Sequence, residues 1–510
     1  MIRRSPWLPI AFAIAAAVVV EAIFIGRGWF FLDDIRNLAD ARREGLTWSF
    51  LTEPIGAEHL SPGHRLLDWL VAVPFGRSWA WATALVIAWS VVGLAYLAAT
   101  MRRLFGPSPW HAVPVFLAGS AWPLLGTGQW FAGAGLAVPA FAAISAALFH
   151  HVSARTGGSP RHAVAAVVWI VVGLAFSIQV VFAPVLLLIV VVACAWPLSA
   201  RDAGREVVAL LPLAVPALAF ALYVALQPWA PASTVPSPGD AVALAATVAL
   251  RGTLPSIVGI GLSAGGAEPG RETTMQLLAG LVLAGGFALA VLRRRRWVVA
   301  AVLMLGGVVV TSAIVAFGRL TVLPPRAAGI EPRYLLPAVL MGALGIAALM
   351  TPQVGAPAAA PASRGIRLAA AALAAALALL YASNLQHTSQ ARSYSVDTGQ
   401  AARRMTKVLS ASIAAAFADG RGASITDGEL PPPLFYSDQL TNRLSAFSRF
   451  FTSRELPATA VPFEGHVLRV GPDGRLRPER FSTAVPSLRC GASRTTCGQT
   501  RLHLKADSRT

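Results

Sequence analysis

The chain has 510 residues, 55% of them hydrophobic and only 13% charged, with a mean hydropathy of +0.62, which excludes an ordinary soluble enzyme. A formal net charge of +18 would point to nucleic acid in a soluble chain, but here the arginines recur at the ends of apolar runs, where they set membrane orientation. Nucleic-acid binding is therefore set aside, and the composition reads as an α-helical polytopic membrane protein.

Met1-Ile2-Arg3-Arg4 precedes an apolar stretch from Trp7 to Ile25 that lacks a small-residue cleavage site, so it reads as a retained signal anchor. Further runs long enough to span a bilayer lie near 79–100, 110–125, 131–149, 163–180, 182–197, 207–226, 274–292, 297–317, 334–350 and 367–383. That makes about eleven transmembrane helices, an odd number that places the termini on opposite sides. Arg102-Arg103, Arg155 with Arg161, Arg201 with Arg205, Arg293 to Arg296, and Arg364 with Arg367 all fall on the amino-terminal side. Positive charge gathers on the cytoplasmic side, which puts the N-terminus in the cytoplasm of an integral cell-membrane protein. The loop 26–78 and the chain after Tyr381 then lie outside the cytoplasm. At Ser177-Ile178-Gln179 two helices must turn with almost no loop. Few ionisable residues sit deep in the spans, which argues against ion-coupled transport. Glu21, about a turn below the outer end of its helix, is expected to reach the headgroup region.

The first outer loop concentrates the chemistry. Asp33 and Asp34 open it, and Glu58-His59-Leu60-Ser61-Pro62 follows, with Glu53, His64 and Arg65 nearby. The segment Leu66 to Phe75 is apolar but too short to span, so it is expected to lie along the interface; Trp29, Trp48 and Trp69 suit the same depth. A carboxylate at the membrane edge, partly desolvated and beside a second acid, can have a raised pKa and serve as a general base. Asp33 is assigned that role and Asp34 positions it, although the pair titrates as a unit and the roles are interchangeable. The structural alternative is that one of them caps a helix beginning at Ile35. His59 and His64 orient an acceptor or bind phosphate, or remain solvated loop histidines. Asp33, Asp34, Glu58 and His59 are the candidates for a divalent metal, and spacing alone does not specify one. Arg65 pairs with a phosphate or anchors the interfacial segment.

Phe31-Leu32-Asp33-Asp34-Ile35 followed by His59-Leu60-Ser61-Pro62-Gly63-His64-Arg65-Leu66 resembles the aspartate pair and the later His, Pro and Arg of protein O-mannosyltransferase relatives in the GT-C superfamily of integral membrane glycosyltransferases. The many-helix body with an acidic first outer loop and a soluble outer carboxy-terminal domain is similar to that superfamily along the whole chain. The adjacent acids depart from the Asp-X-Asp arrangement of the metal-dependent oligosaccharyltransferase branch, which leaves a metal requirement open. The resemblance implies transfer of a sugar from a polyprenyl-phosphate carrier to a protein, glycan or lipid acceptor at the outer membrane face. Direct displacement by the acceptor inverts the anomeric centre. The rival readings are a lipid-linked sugar flippase or other transporter, and a non-catalytic scaffold.

A second outer loop carries Arg319, Arg326, Arg333 and Tyr334 where positive charge is otherwise scarce. Arginine's planar fork suits phosphate oxygens. The Arg333-Tyr334 pair just before a helix resembles the Arg-Tyr of many GT-C enzymes, and its structural alternative is a helix anchor at the interface. The stretch Pro228 to Thr274 is a candidate lid or substrate-access loop, by length alone. Gly355 to Pro361 is a low-complexity linker. The domain division is then a transmembrane domain, 1–383, with a catalytic loop at 26–78, and a small extracytoplasmic α+β domain, 384–510. The latter is expected to hold a helix from Thr398 to Ala418, strands at Ser424 to Thr426 and His466 to Val470, and a turn at Gly471-Pro472-Asp473-Gly474. Cys490 and Cys497 are expected to form a local disulfide.

Overall fold

A computed structural model describes residues 7–55, 60–195, 200–227, 237–257, 294–319, 324–351, 381–383 and 394–418, and in the C-terminal part 424–425, 430, 434, 450–451 and 467–478. The chain divides into two compact units, Met1–Arg403 and Arg404–Thr510, against a division at 383 read from hydropathy.

In the first unit, the apolar run Trp7–Ile25 forms helix α1, which at about 1.5 Å per residue is close to the thickness of a hydrocarbon core. After it come α2 (Asp33–Glu44), α3 (Trp48–Thr52), α4 (Pro62–Ala72) and α5 (Trp79–Phe105). Acids in the first turn of α2 and Arg42 and Arg43 in its last turn complement the helix dipole, and Gly45 stops it with φ 67°. Thr47 starts α3, its Oγ1 accepting from Phe50 N at 3.2 Å, and Pro62 opens α4.

Next come α6 (Ala112–Gly119), α7 (Trp122–Gly128), α8 (Phe131–Arg155), α9 (Arg161–Phe176), α10 (Ala183–Ala195) and α11 (Ala200–Ala225). They are followed by α12 (Pro238–Thr247), α13 (Leu254–Ile257), α14 (Arg294–Arg319), α15 (Pro325–Ala328) and α16 (Leu336–Met350). Helix α8 is the axis of this unit. It is buried along nearly its whole length and packs on α2, α4, α5, α7, α9, α10 and α16. The turn between α9 and α10 is closed by Ser177, whose Oγ accepts from Gln179 N at 3.3 Å.

Among the described residues five helices are long and apolar enough to cross a membrane by length and composition, beginning at Trp7, Trp79, Phe131, Gly204 and Trp297. Three shorter apolar ones begin at Arg161, Ile178 and Leu336. The spans expected at 274–292 and 367–383 lie outside the described residues, apart from Tyr381 to Ser383.

Four expectations change. The span expected at 110–125 is not one helix: α6 ends at Gly119, the chain turns through Ser120 and Ala121, and Pro123 sits in the first turn of α7. A break at membrane depth needs its backbone satisfied by protein. Ser120 is buried, its Oγ donates to Phe116 O, and the Tyr381 hydroxyl lies 3.2 Å from the Ser120 carbonyl and 2.5 Å from its Oγ. Glu21 does not reach outward; it is 1% exposed and accepts a 2.6 Å bond from Ser90 of α5. The stretch expected as a loop from Pro228 holds α12, because Ser237 Oγ accepts from Asp240 N at 3.1 Å and Pro238 fills the first helical position. Finally, α4 is no bare interfacial strip, since it buries His64, Arg65, Leu67 and Asp68 against α2, α3, α8 and α9.

The division between the units falls inside α17 (Tyr394–Ala418). In the second unit, Ser410 Oγ donates to Phe451 O at 3.0 Å. Three short strands follow: β1 (Ser424–Ile425), β2 (Val467–Val470) and β3 (Leu476–Pro478). β1 pairs with β2 in parallel, and β2 with β3 antiparallel through a turn where Gly474 takes φ 79°. Cys490 and Cys497 lie outside the described residues.

Candidate active site at the start of the central helix

The chain leaving α1 is held close to the start of α8. Gly28 lies where any Cβ would meet Gln129 O at 2.7 Å and the Trp79 ring at 2.7 Å. Trp79 Nε1 donates at 3.0 Å to Ile25 O at the end of α1, a carbonyl that also accepts from Gly28 N at 2.9 Å. Phe30 then packs edge-on against Trp79 and Phe131, with centroids at 5.1 and 6.0 Å.

Leu32 makes the turn into α2 with φ 51° and ψ −118°, backbone that L side chains adopt only under strain. Strain of this kind, roughly 1–3 kcal/mol, persists where surrounding contacts over-determine the chain. Here they do. Leu32 is buried, Phe31 stacks near Trp130 at 6.2 Å, and the next two residues are the acid pair.

The pair splits into two environments. Asp34 is fully buried, and its two oxygens accept from Phe31 N at 3.1 Å and from Ala132 N at 2.5 Å. Ala132 is in the first turn of α8, so Asp34 satisfies an open N–H of that helix and lies at the positive end of its dipole. The capping alternative is thus realised on a distant helix rather than at Ile35. Burial pushes the Asp34 carboxyl well above the usual aspartate range, and the two backbone donors pull it back. Asp33, the first residue of α2, is only half-buried and keeps contact with solvent.

The second loop arrives at the same helix end. Pro332–Tyr334 forms a 3-10 turn packed on α7, α8 and α14. The Arg333 guanidinium lies over the Trp130 ring at 4.8 Å and over Tyr334 at 5.0 Å, with Glu331 Oε1 3.4 Å from its Nε. Tyr334 is buried. Trp130 therefore has Phe31 from the acidic turn and Arg333 from the second loop as neighbours. Arg319 ends α14 and Arg326 lies in α15; their side chains fall outside the described residues, as do Glu58 and His59.

Below this surface lies a layer of buried charge. His64 is fully enclosed, against the Phe131 ring at 6.0 Å, with Nε2 3.3 Å from Asp68 Oδ2. Arg65, 3% exposed, stacks over Phe50 at 4.9 Å and has Asp40 at 4.0 Å and Glu53 at 3.8 Å. Both side chains thus face protein partners. Asp68 was not singled out by sequence, although His64 and Asp68 stand four residues apart on α4 and therefore share a face, a legible signal. Burial raises the Asp68 carboxyl well above its usual range; Arg65 opposes this, and Asp34 and Asp40 add to it. Asp40 is also raised by burial, against the pull of Arg43, Arg65 and Arg36.

Chemically, the arrangement offers a half-buried carboxylate and, over Trp130, a guanidinium mounted on aromatic rings. Among the described residues no three His, Cys, Asp or Glu side chains are grouped to hold a metal ion.

No protein-family model and no curated protein matches the chain. Among solved structures, the crystal structure of ArnT from Cupriavidus metallidurans bound to undecaprenyl phosphate aligns over 66% of this chain and 77% of that one, at 17% identity and a TM-score of 0.31, too loose an overlap to bear on fold or activity.

Proposed function

We propose that the chain is a membrane glycosyltransferase of GT-C type, moving a sugar from a polyprenyl-phosphate carrier to an acceptor hydroxyl at the membrane face where α8 begins. The observation that carries this reading is convergence: the turn bearing Asp33 and the turn bearing Arg333 both pack on Trp130 at one buried helix end. The resemblance of the Phe31 to Leu66 pattern to the O-mannosyltransferase relatives supports the same reading.

In the proposed reaction the acceptor oxygen bonds to the anomeric carbon as the bond from that carbon to the phosphate oxygen breaks. The hydroxyl proton passes to Asp33, and the polyprenyl phosphate leaves with the electron pair. Asp33 takes the base role because it retains solvent contact, whereas both oxygens of Asp34 are engaged by backbone N–H groups. Asp34 positions the turn. Arg333 offsets the charge that develops on the leaving phosphate. His64 packs α4 against α8, and Arg65 ties α4 to α2 and α3. The clustered arginines at the opposite helix ends orient this face away from the cytoplasm.

The test is sugar transfer in proteoliposomes supplied with radiolabelled polyprenyl-phosphate sugars. Asp33→Asn should lower transfer by about 10²-fold or more while carrier binding persists, since loss of a general base costs on that order. Arg333→Ala should weaken carrier binding as well. Wild-type transfer by Asp33→Asn would remove Asp33 as base.

A transport reading draws on one observation, the buried Glu21 bonded to Ser90 within the bundle, because ionisable groups inside spans mark pathways. Movement of lipid-linked sugar across the bilayer with no transfer to any acceptor would favour it.

A further inference from the structure

A cavity of about 480 Å³ opens beside the end of α1. Its walls include Gly26, Trp29, Trp79, Ala80, Thr83 and Arg403. That volume lies within the range of small-molecule sites, roughly 300–1,000 Å³.

The walls are held firmly. Trp79 is fixed by its bond to Ile25 O and by its edge-on contact with Phe30. Arg403 is carried on the first turns of α17, which lie on the chain leaving α1. Gln400 Nε2 donates to Arg27 O at 2.7 Å, and a Cβ on Gly399 would meet the Trp29 backbone at 3.0 Å.

Three features define the ligand. Arg403 is the one charged residue among those lining the cavity, so the site selects an anion, and a guanidinium matches phosphate oxygens. Two indoles form the walls, as is common at the depth where headgroups meet hydrocarbon. The cavity begins one residue past a spanning helix whose surface exposes Phe12, Val19 and Ile23, an apolar track leading up to Gly26.

We propose that this cavity is a binding site for an anionic membrane phospholipid, its phosphate headgroup on Arg403 between Trp29 and Trp79 and its acyl chains along α1. Neither Asp33 nor Asp34 lines the cavity, and lipid binding there requires no transferase activity.

The test is native mass spectrometry of the full-length protein in detergent, titrated in turn with phosphatidylglycerol, phosphatidylcholine, undecaprenyl phosphate and inorganic phosphate. Phosphatidylglycerol should bind about tenfold more tightly than phosphatidylcholine, an advantage that Arg403→Gln should abolish. Ala80→Trp, which places an indole in the same cavity without touching the cation, should reduce binding of both lipids. Equal retention of the two lipids by the wild type, or unchanged phosphatidylglycerol binding in Arg403→Gln, would overturn the proposal. Inorganic phosphate binding as tightly as phosphatidylglycerol would show that no lipid is required. Undecaprenyl phosphate displacing phosphatidylglycerol at tenfold lower concentration would assign the cavity to a polyprenyl carrier instead. Asp33→Asn should leave lipid binding unchanged, which separates this result from the fate of the transferase reading.

Discussion

At each end of α8 sits a side chain of the kind its dipole favours, an acid at the start and a base at the end, yet the two ends are held in opposite ways. At its last turn Arg155 grips Glu206 with two nitrogens, at 2.5 and 3.0 Å, and Arg103 of α5 donates to Thr156 Oγ1 at 2.8 Å. Arg155 is 40% exposed, so water shares in that contact. At its first turn Asp34 is wholly buried and its partners are backbone N–H groups. The difference is solvation rather than sign. Charges at the solvated end share their contacts with water and tolerate change, whereas at the buried end each polar atom depends on a specific partner, which is the condition an active site needs.

The sharpest way to break this contrast is Asp34→Ala. It leaves two buried backbone donors without an acceptor, for a loss of about 3 kcal/mol. Thermal unfolding in detergent should show a large drop in midpoint, and Asp34→Asn, which keeps an acceptor, a smaller one. A midpoint within error of wild type for Asp34→Ala would mean that the carboxylate does not anchor α8.

Packing at the same end is tested by Gly135→Ala. The new Cβ would fall on the His64 ring, which is enclosed and cannot withdraw. Overpacking of this kind costs about 1–3 kcal/mol. Full stability in Gly135→Ala would show that α4 can slide away from α8.

The buried acids also give the site end a pH dependence. Burial raises the carboxyls of Asp34, Asp40 and Asp68 above the aspartate value of 3.8, so the folded state binds these protons more tightly than the unfolded chain does. The stabilisation they contribute is complete below about pH 4 and is lost as pH rises through their folded values. Arg65 moderates the loss at Asp68, and Arg43, Arg65 and Arg36 that at Asp40; His64 also faces Asp68. Asp68→Asn has no such proton to lose, so its unfolding midpoint should fall less steeply from pH 4 upward. Parallel profiles for wild type and Asp68→Asn would exclude Asp68 as a contributor.

The same contrast decides what was legible in sequence. Helices α1, α5 and α8 follow from uninterrupted apolar runs, and the arginines ending α5 and α8 stand out at the ends of those runs. Asp33 and Asp34 stand out by composition, but the difference between their surroundings does not. It depends on Ala132, 98 residues away, and on a backbone turn at Leu32 that no propensity favours. The break within 110–125 was hidden because mean hydropathy does not register a turn at Ser120, and the hydroxyl that satisfies it comes from Tyr381, 261 residues distant. By contrast, α12 is locally readable from Ser237, Pro238 and Asp240, residues that cap and open a helix as readily as they form a loop. Asp68 was readable too, by its spacing from His64.

The smallest expected effect lies at the solvated end. Arg155 and Glu206 form a well-aligned pair, but water competes for both charges and the side chains lose freedom in holding one geometry. A double-mutant cycle of Arg155→Ala and Glu206→Gln, read by unfolding midpoints, should give a coupling below about 1 kcal/mol. Raising the salt concentration should lower it further, because exposed charges are screened. A coupling as large as the loss in Asp34→Ala would mean that the basic end is organised by packing like the site end, and solvation would then no longer distinguish them.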